Sequence, residues 1–122
     1  MATNYARGRS FENRVRKYLT KADFFTIRSA GSKGKADLVA ISPGGKTVLF
    51  VQCKRSGLID REEWNELLEL ASHHGALPIL ARGEERKLIL EQIITPLIPF
   101  ARRAGATIPF LQVKTNATSK DK

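Results

Sequence analysis

Two apolar runs, "ADLVAIS" at 36–42 and "TVLFVQCKRSG" at 47–57, are joined by the four residues "PGGK". Both runs are short and rich in large apolar side chains, and the connector carries a proline and two glycines. The pair therefore reads as a β-hairpin. An antiparallel hairpin sets the start of its first strand beside the end of its second, which brings Asp37 close to Gln52 and Lys54. Strand alternation sends Gln52 and Lys54 to one side and Cys53 to the other. An amide and an ammonium thus leave the core together, next to a carboxylate. Either the strand frays into solvent here, or this is half of an active site.

The elements around the hairpin narrow the fold. "SFENRVRKYLTKA" places Phe11, Val15, Tyr18 and Leu19 at helical spacing, with Arg14, Arg16 and Lys17 elsewhere on the wheel. This predicts an amphipathic helix with a basic outer surface. "FFTIRSA" reads as a short strand and "GSKGK" as a basic turn. "DREEWNELLELASHHG" predicts a second helix, with Asp60 as cap, Glu63 completing a capping-box pattern, and Gly75 as stop. Trp64, Leu67, Leu68 and Ala71 form its buried stripe. "ALPILAR" is a fourth strand and "TIPFLQV" a last one. Between them "KLILEQI" fits a strand or a helix start, and "PLIPFARRAG" a short helical turn. The order α-β-β-β-α-β, with a less regular continuation, describes an α/β sandwich: a mixed central sheet flanked by helices. A single domain over 1–114 is expected, and the polar stretch 115–122 is expected to be disordered.

The chain has 122 residues and a net charge of +9, from 21 Lys and Arg against 12 Asp and Glu. Nucleic acid is the natural partner of such a surface, through phosphate neutralisation and counterion release. The cations also cluster, at Arg7, Arg9, Arg14, Arg16, Lys17 and Lys21, and again at Arg28, Lys33 and Lys35. A single cysteine excludes an internal disulfide and a multi-cysteine zinc site. No apolar run approaches the ~20 residues that span a bilayer, so no membrane association is expected. With no signal peptide visible, a cytoplasmic location is expected, either on the nucleoid or, for a viral protein, in the host cytoplasm.

Glu12 follows the core-facing Phe11 and sits at the margin of the buried stripe. Taken alone, it reads as an i,i+4 partner of Arg16. Asp37 alone reads as a turn carboxylate, and Lys54 with Arg55 as a solvated strand end. Cys53 belongs to the core, and His73 and His74 to an exposed helix end. Taken together, Glu12, Asp37, Gln52 and Lys54 would set hard oxygen ligands beside an ammonium. Magnesium favours such ligands, and a lysine there can orient water or stabilise charge on a phosphate.

The block "RGRSFENRVRKYLTKADFFTIRSAGSKGKADLVAI" followed by "LFVQCKRSG" resembles the archaeal-type Holliday junction resolvases, within the PD-(D/E)xK nuclease superfamily. The likeness runs from about Arg7 to Arg82. It implies a restriction-endonuclease-like core and Mg2+-dependent cutting of four-way DNA junctions by paired symmetric nicks, with Mn2+ as a substitute metal. It assigns the catalytic set to Glu12, Asp37, Gln52 and Lys54, with Ser32, or else Ser29, as the serine before the Asp. Of these, Glu12, Asp37 and Gln52 are the metal ligands. DNA contacts fall to Arg7, Arg9, Arg14, Arg28, Lys33, Lys35 and Arg55. A homodimer is implied as well, and the apolar residues from Leu97 to Leu111 are the expected interface. Two departures stand out: Ala36 replaces the proline of the motif, and Gln52 its second acid. The competing readings are a nuclease acting on duplex, flaps or ends, and a DNA-binding domain that has lost catalysis.

Overall fold

The computed structural model describes residues 4–29, 36–98 and 105–110, with the backbone alone for 4–7. Phe11, Val15 and Leu19 recur every four residues along α1 (Asn4–Lys21), and all three are buried. The helix ends without a glycine: Asp23 adopts φ 76°, and the Phe24 N–H reaches back to the Leu19 carbonyl at 3.0 Å. Asp is among the residues that tolerate this left-handed conformation. The chain turns directly into β1 (Phe25–Arg28).

The hairpin forms as its connector dictates. β2 (Leu38–Ile41) and β3 (Val48–Cys53) are antiparallel, with Leu38 opposite Val51. Between them Pro43–Gly45 makes one 3-10 turn, in which Gly44 and Gly45 take φ 81° and 74°. Ser42 closes the loop, its Oγ accepting the Thr47 N–H at 2.9 Å.

β4 (Leu77–Glu84) lies parallel to β3, so the chain must cross over, and α2 (Arg61–His73) makes the crossing. Asp60 Oδ1 accepts the Glu63 N–H at 2.8 Å, and Gly75 at φ 70° ends the helix. Trp64, Leu67 and Ala71 are buried and Leu68 half-buried. β5 (Lys87–Ile93) and β6 (Thr107–Pro109) complete a sheet in the order β1-β2-β3-β4-β5-β6. "KLILEQI" is therefore a strand. The helical turn expected in "PLIPFARRAG" and the tail 115–122 fall outside the described residues.

The sheet is apolar on both faces, which explains the unbroken run in "ALPILA". Ile79 and Ala81 join Phe11, Val15, Leu19, Leu38, Ala40, Leu49 and Val51 under α1. Leu80 faces the other way, with Trp64, Leu67, Ile93 and Leu97 under α2. Trp64 Nε1 donates to the Thr95 carbonyl at 2.9 Å. Asn65 holds Leu97 at both ends, accepting its N–H at 2.8 Å and donating to its carbonyl at 2.9 Å. Leu97 thus belongs to the chain's own core, which removes it from the expected interface. Thr107–Pro109 likewise serves as a strand of this sheet. Phe110 packs against the α1 cluster, and Phe100 lies outside the described residues. Among the described residues no helix is long and apolar enough to cross a membrane.

Candidate active site

The site lies where β2 begins and β3 ends. Asp37 immediately precedes β2, and its N–H donates to the Val51 carbonyl at 2.8 Å. Its carboxylate then continues the ladder: Oδ2 accepts the Cys53 N–H, also at 2.8 Å. Burial pushes the Asp37 carboxyl above its ordinary range. The Cys53 N–H and the Lys54 charge oppose that rise, while Glu12 and Glu63 add to it. Asp37 therefore senses charges from both helices.

Gln52 and Lys54 take the parity of Phe50, which packs with the α2 cluster. Among the described residues, the buried Gln52 Oε1 has no hydrogen-bond donor. Lys54 Nζ donates to Glu63 Oε2 at 3.2 Å, in the first turn of α2. On the α1 side, Glu12 is only 14% exposed at its side chain, and its Oε1 accepts from Arg28 Nε at 2.6 Å. The i,i+4 reading of Glu12 with Arg16 thus gives way to a bond across sixteen residues. Cys53 packs against the α1 cluster, and burial, with Asp37 and Glu12 adding, pushes its thiol far up. It is half-buried at the margin of that core, on the face its strand parity requires.

The structure thus brings Asp37, Gln52 and Lys54 together and sets Glu12 within their field. Ser32, Lys33, Lys35 and the side chain of Arg7 lie outside the described residues. Ser29 approaches through its backbone, its N–H donating to the Asp37 carbonyl at 2.9 Å. Arg9, Arg14 and Arg55 are exposed, and Arg14 also donates to the Arg86 carbonyl. His73 and His74 remain at the end of α2, stacked edge to face. Glu63 was legible only as part of a helix cap. Its reach to Lys54 is signalled by the parity of Lys54 and by the crossover that must place α2 over that face.

Among the described residues, no three His, Cys, Asp or Glu side chains gather into a metal cage. The donors present nevertheless suit a hard divalent cation. Asp37 is a desolvated carboxylate that a cation would relieve, and Gln52 Oε1 is a buried acceptor lacking a donor.

A six-stranded mixed sheet with helices on both faces, an acid entering one strand and a lysine leaving its neighbour, defines an α/β protein of the nuclease fold. The sequence model described as archaeal Holliday junction resolvase matches residues 3–91, and the chain belongs to that family. The crossover junction endodeoxyribonuclease Hjc of Methanocaldococcus jannaschii is 39% identical over 85 residues, which is 66% of this chain. The chain spans 62% of that relative's length. The solved structure of Archaeoglobus fulgidus Hjc, a Holliday junction resolvase from an archaeal hyperthermophile, has a TM-score of 0.58 and 28% identity. That match covers 69% of this chain and 70% of the other. The family match extends to residue 91, through most of β5 and beyond the Arg82 limit of the sequence likeness.

Proposed function

We propose that this protein is a divalent-metal-dependent endonuclease that resolves four-way DNA junctions by paired nicks, with Mg2+ as the metal and Mn2+ as a substitute. One observation carries the reading within this family: Asp37, Gln52 and Lys54 meet at adjoining strand ends, with Asp37 desolvated and Gln52 Oε1 lacking a donor. Asp37 and Gln52 would hold the cation. Glu12, now paired with Arg28, is the third ligand. When bound, the metal supplies Lewis acidity at the scissile phosphate and acidifies water. Lys54 offers a fixed positive charge on the same face, directed at the charge that develops on the phosphorus centre. Ser32, in the loop before Asp37, is assigned to the same site.

Arg9, Arg14 and Arg55, with Arg7, Arg28, Lys33 and Lys35, would neutralise phosphates. Affinity should then fall with salt by about one unit of log–log slope per contact. Two opposed cuts are most simply made by two symmetry-related sites, so the working form is a homodimer. The C-terminal interface expected from sequence loses Leu97 to the core. Phe25 and Ile27 on the edge strand β1 are 67% and 46% exposed, beside half-buried Val39 and Ile41, and a second copy would cover them. Light scattering should report twice 13.6 kDa, and Phe25→Asp should return the monomer.

The deciding experiment is a gel with labelled four-way junction and matched linear duplex, in Mg2+ or in EDTA. Symmetric nicks confined to the junction and dependent on metal are expected. Cutting of the duplex at equal rate would point to a general or repair nuclease. Tight junction binding without cutting in any divalent metal would mark a domain in which Gln52 has ended catalysis.

A further inference from the structure

Lys54 follows β3 directly, and its long flexible stem reaches a carboxylate that belongs to another element. Glu63 Oε2 lies 3.2 Å from Lys54 Nζ. It stands in the first turn of α2, where the Asp60 cap fixes its backbone through the N–H at 2.8 Å. Both side chains are only partly exposed, 29% for Lys54 and 40% for Glu63. Glu63 also acts on Asp37, raising the carboxyl's proton affinity, so its charge lies within the field of the site. The neighbouring strand position does not take this role, since no donor among the described residues, Lys54 included, reaches Gln52 Oε1.

On the nuclease reading above, we infer that Glu63 is the positioning residue for Lys54. An ammonium has three donor hydrogens, and Glu63 takes one of them. The other two remain for the site, where the Lys54 charge already acts on Asp37. A free lysine stem would sample many rotamers, and small misplacements of a catalytic group cost large factors in rate. Because α2 is capped at Asp60 and packed through Trp64, the carboxylate is held by the rigid part of the fold. Glu63 also explains how a site with Gln52 in its strand keeps an anionic neighbour for Lys54 on the same face. Its positioning action is through Lys54, beside the field it exerts on Asp37.

The experiment compares single-turnover cutting of a four-way junction by wild type, Glu63→Ala, Glu63→Gln, Lys54→Ala and the Glu63→Ala/Lys54→Ala pair, with Glu62→Ala as control. Glu62 shares the first turn of α2 and is exposed, so it reports helix-end effects alone. Glu63→Ala should slow cutting by about tenfold to a hundredfold at saturating junction and saturating Mg2+, with junction affinity unchanged. Glu63→Gln keeps an acceptor oxygen and should recover most of the rate. Added to Lys54→Ala, Glu63→Ala should cost nothing further, the signature of two residues acting as one. Independently of activity, the Lys54 ammonium resonance in 15N NMR should lose its ordered character in Glu63→Ala. Additive losses or an unchanged ammonium signal would each overturn the assignment. A wild type that does not cut would instead defeat the nuclease reading, while the ammonium signal would still decide whether Glu63 holds Lys54.

Discussion

Replacing Gln52 with glutamate puts a charge where the protein now keeps a neutral oxygen. That oxygen is buried and has no donor among the described residues. Asp37 beside it is already desolvated, and Glu12 and Glu63 both raise its proton affinity. A new carboxylate would find Asp37, Glu12 and Glu63 against the one Lys54 charge, and no hydrogen-bond donor among the described residues. An unsatisfied buried polar group costs about 1–3 kcal/mol, and a charge more, although the introduced carboxyl can relieve part of it by taking up a proton. We therefore expect Gln52→Glu to lose about 2–3 kcal/mol without metal at pH 7, or roughly 10 °C in Tm for a domain of this size. The variant's carboxyl should titrate above its unfolded value of about 4.3, so folding takes up a proton. The penalty then grows as pH rises above that value and vanishes below it. Excess Mg2+ should restore most of the loss, since the ion binds the folded state and neutralises the added charge. Junction cutting should be retained or rise. Thermal melts of wild type and variant, in EDTA and in Mg2+, at neutral and acid pH, decide the matter. Equal stability in EDTA at neutral pH, or a loss that Mg2+ does not relieve, would refute a cation site at Gln52.

Asp37→Asn should abolish cutting while leaving junction binding intact in gel-shift assays; equal loss of both in a folded variant would make Asp37 structural. Because burial raises the Asp37 carboxyl, the same change should stabilise the fold at neutral pH, a gain that disappears as pH falls into the ordinary carboxylate range. Asn65→Ala removes both bonds to Leu97 and should cost about 1–3 kcal/mol in urea melts, with no change in cutting per folded molecule. Cys53 should resist iodoacetamide in the native protein and react on unfolding, since burial raises its thiol; native labelling at the rate of a free cysteine would contradict that burial.

Connector length explains why so much of the site was legible. Four residues with two glycines allow little besides a hairpin, and a hairpin puts Asp37 beside Gln52 whatever the rest of the fold does. The two helices announce themselves through the Phe11, Val15, Leu19 and Trp64, Leu67, Ala71 stripes. The β4–β5 hairpin does not, because its turn residues Glu85 and Arg86 take φ 49° and 70° with no glycine to advertise it. Hence "KLILEQI" stayed open between strand and helix. Leu97 was misplaced for a different reason: its burial depends on Asn65, thirty-two residues away, and no local pattern carries that pairing. Glu63 and Arg28 belong to the same class. Each meets its partner across elements, Lys54 from α2 and Glu12 from β1, and periodicity reports only the face of a side chain.

Asp37 Oδ2 stands where a main-chain carbonyl would stand if β2 began one residue earlier, and the Cys53 amide depends on it. That amide proton is consequently a gauge of the carboxylate's orientation. It should exchange slowly with solvent while Asp37 keeps this rotamer and quickly once the side chain turns away. Oδ2 gives one of its lone pairs to that amide, so the carboxylate meets a cation or a proton in an orientation the backbone has already set. Adding metal should leave the Cys53 amide protected, whereas Asp37→Ala should release it without touching the neighbouring Asp37–Val51 backbone bond. Residue-resolved exchange can therefore follow the aim of this one side chain through a titration, with no substrate present and no cut to count.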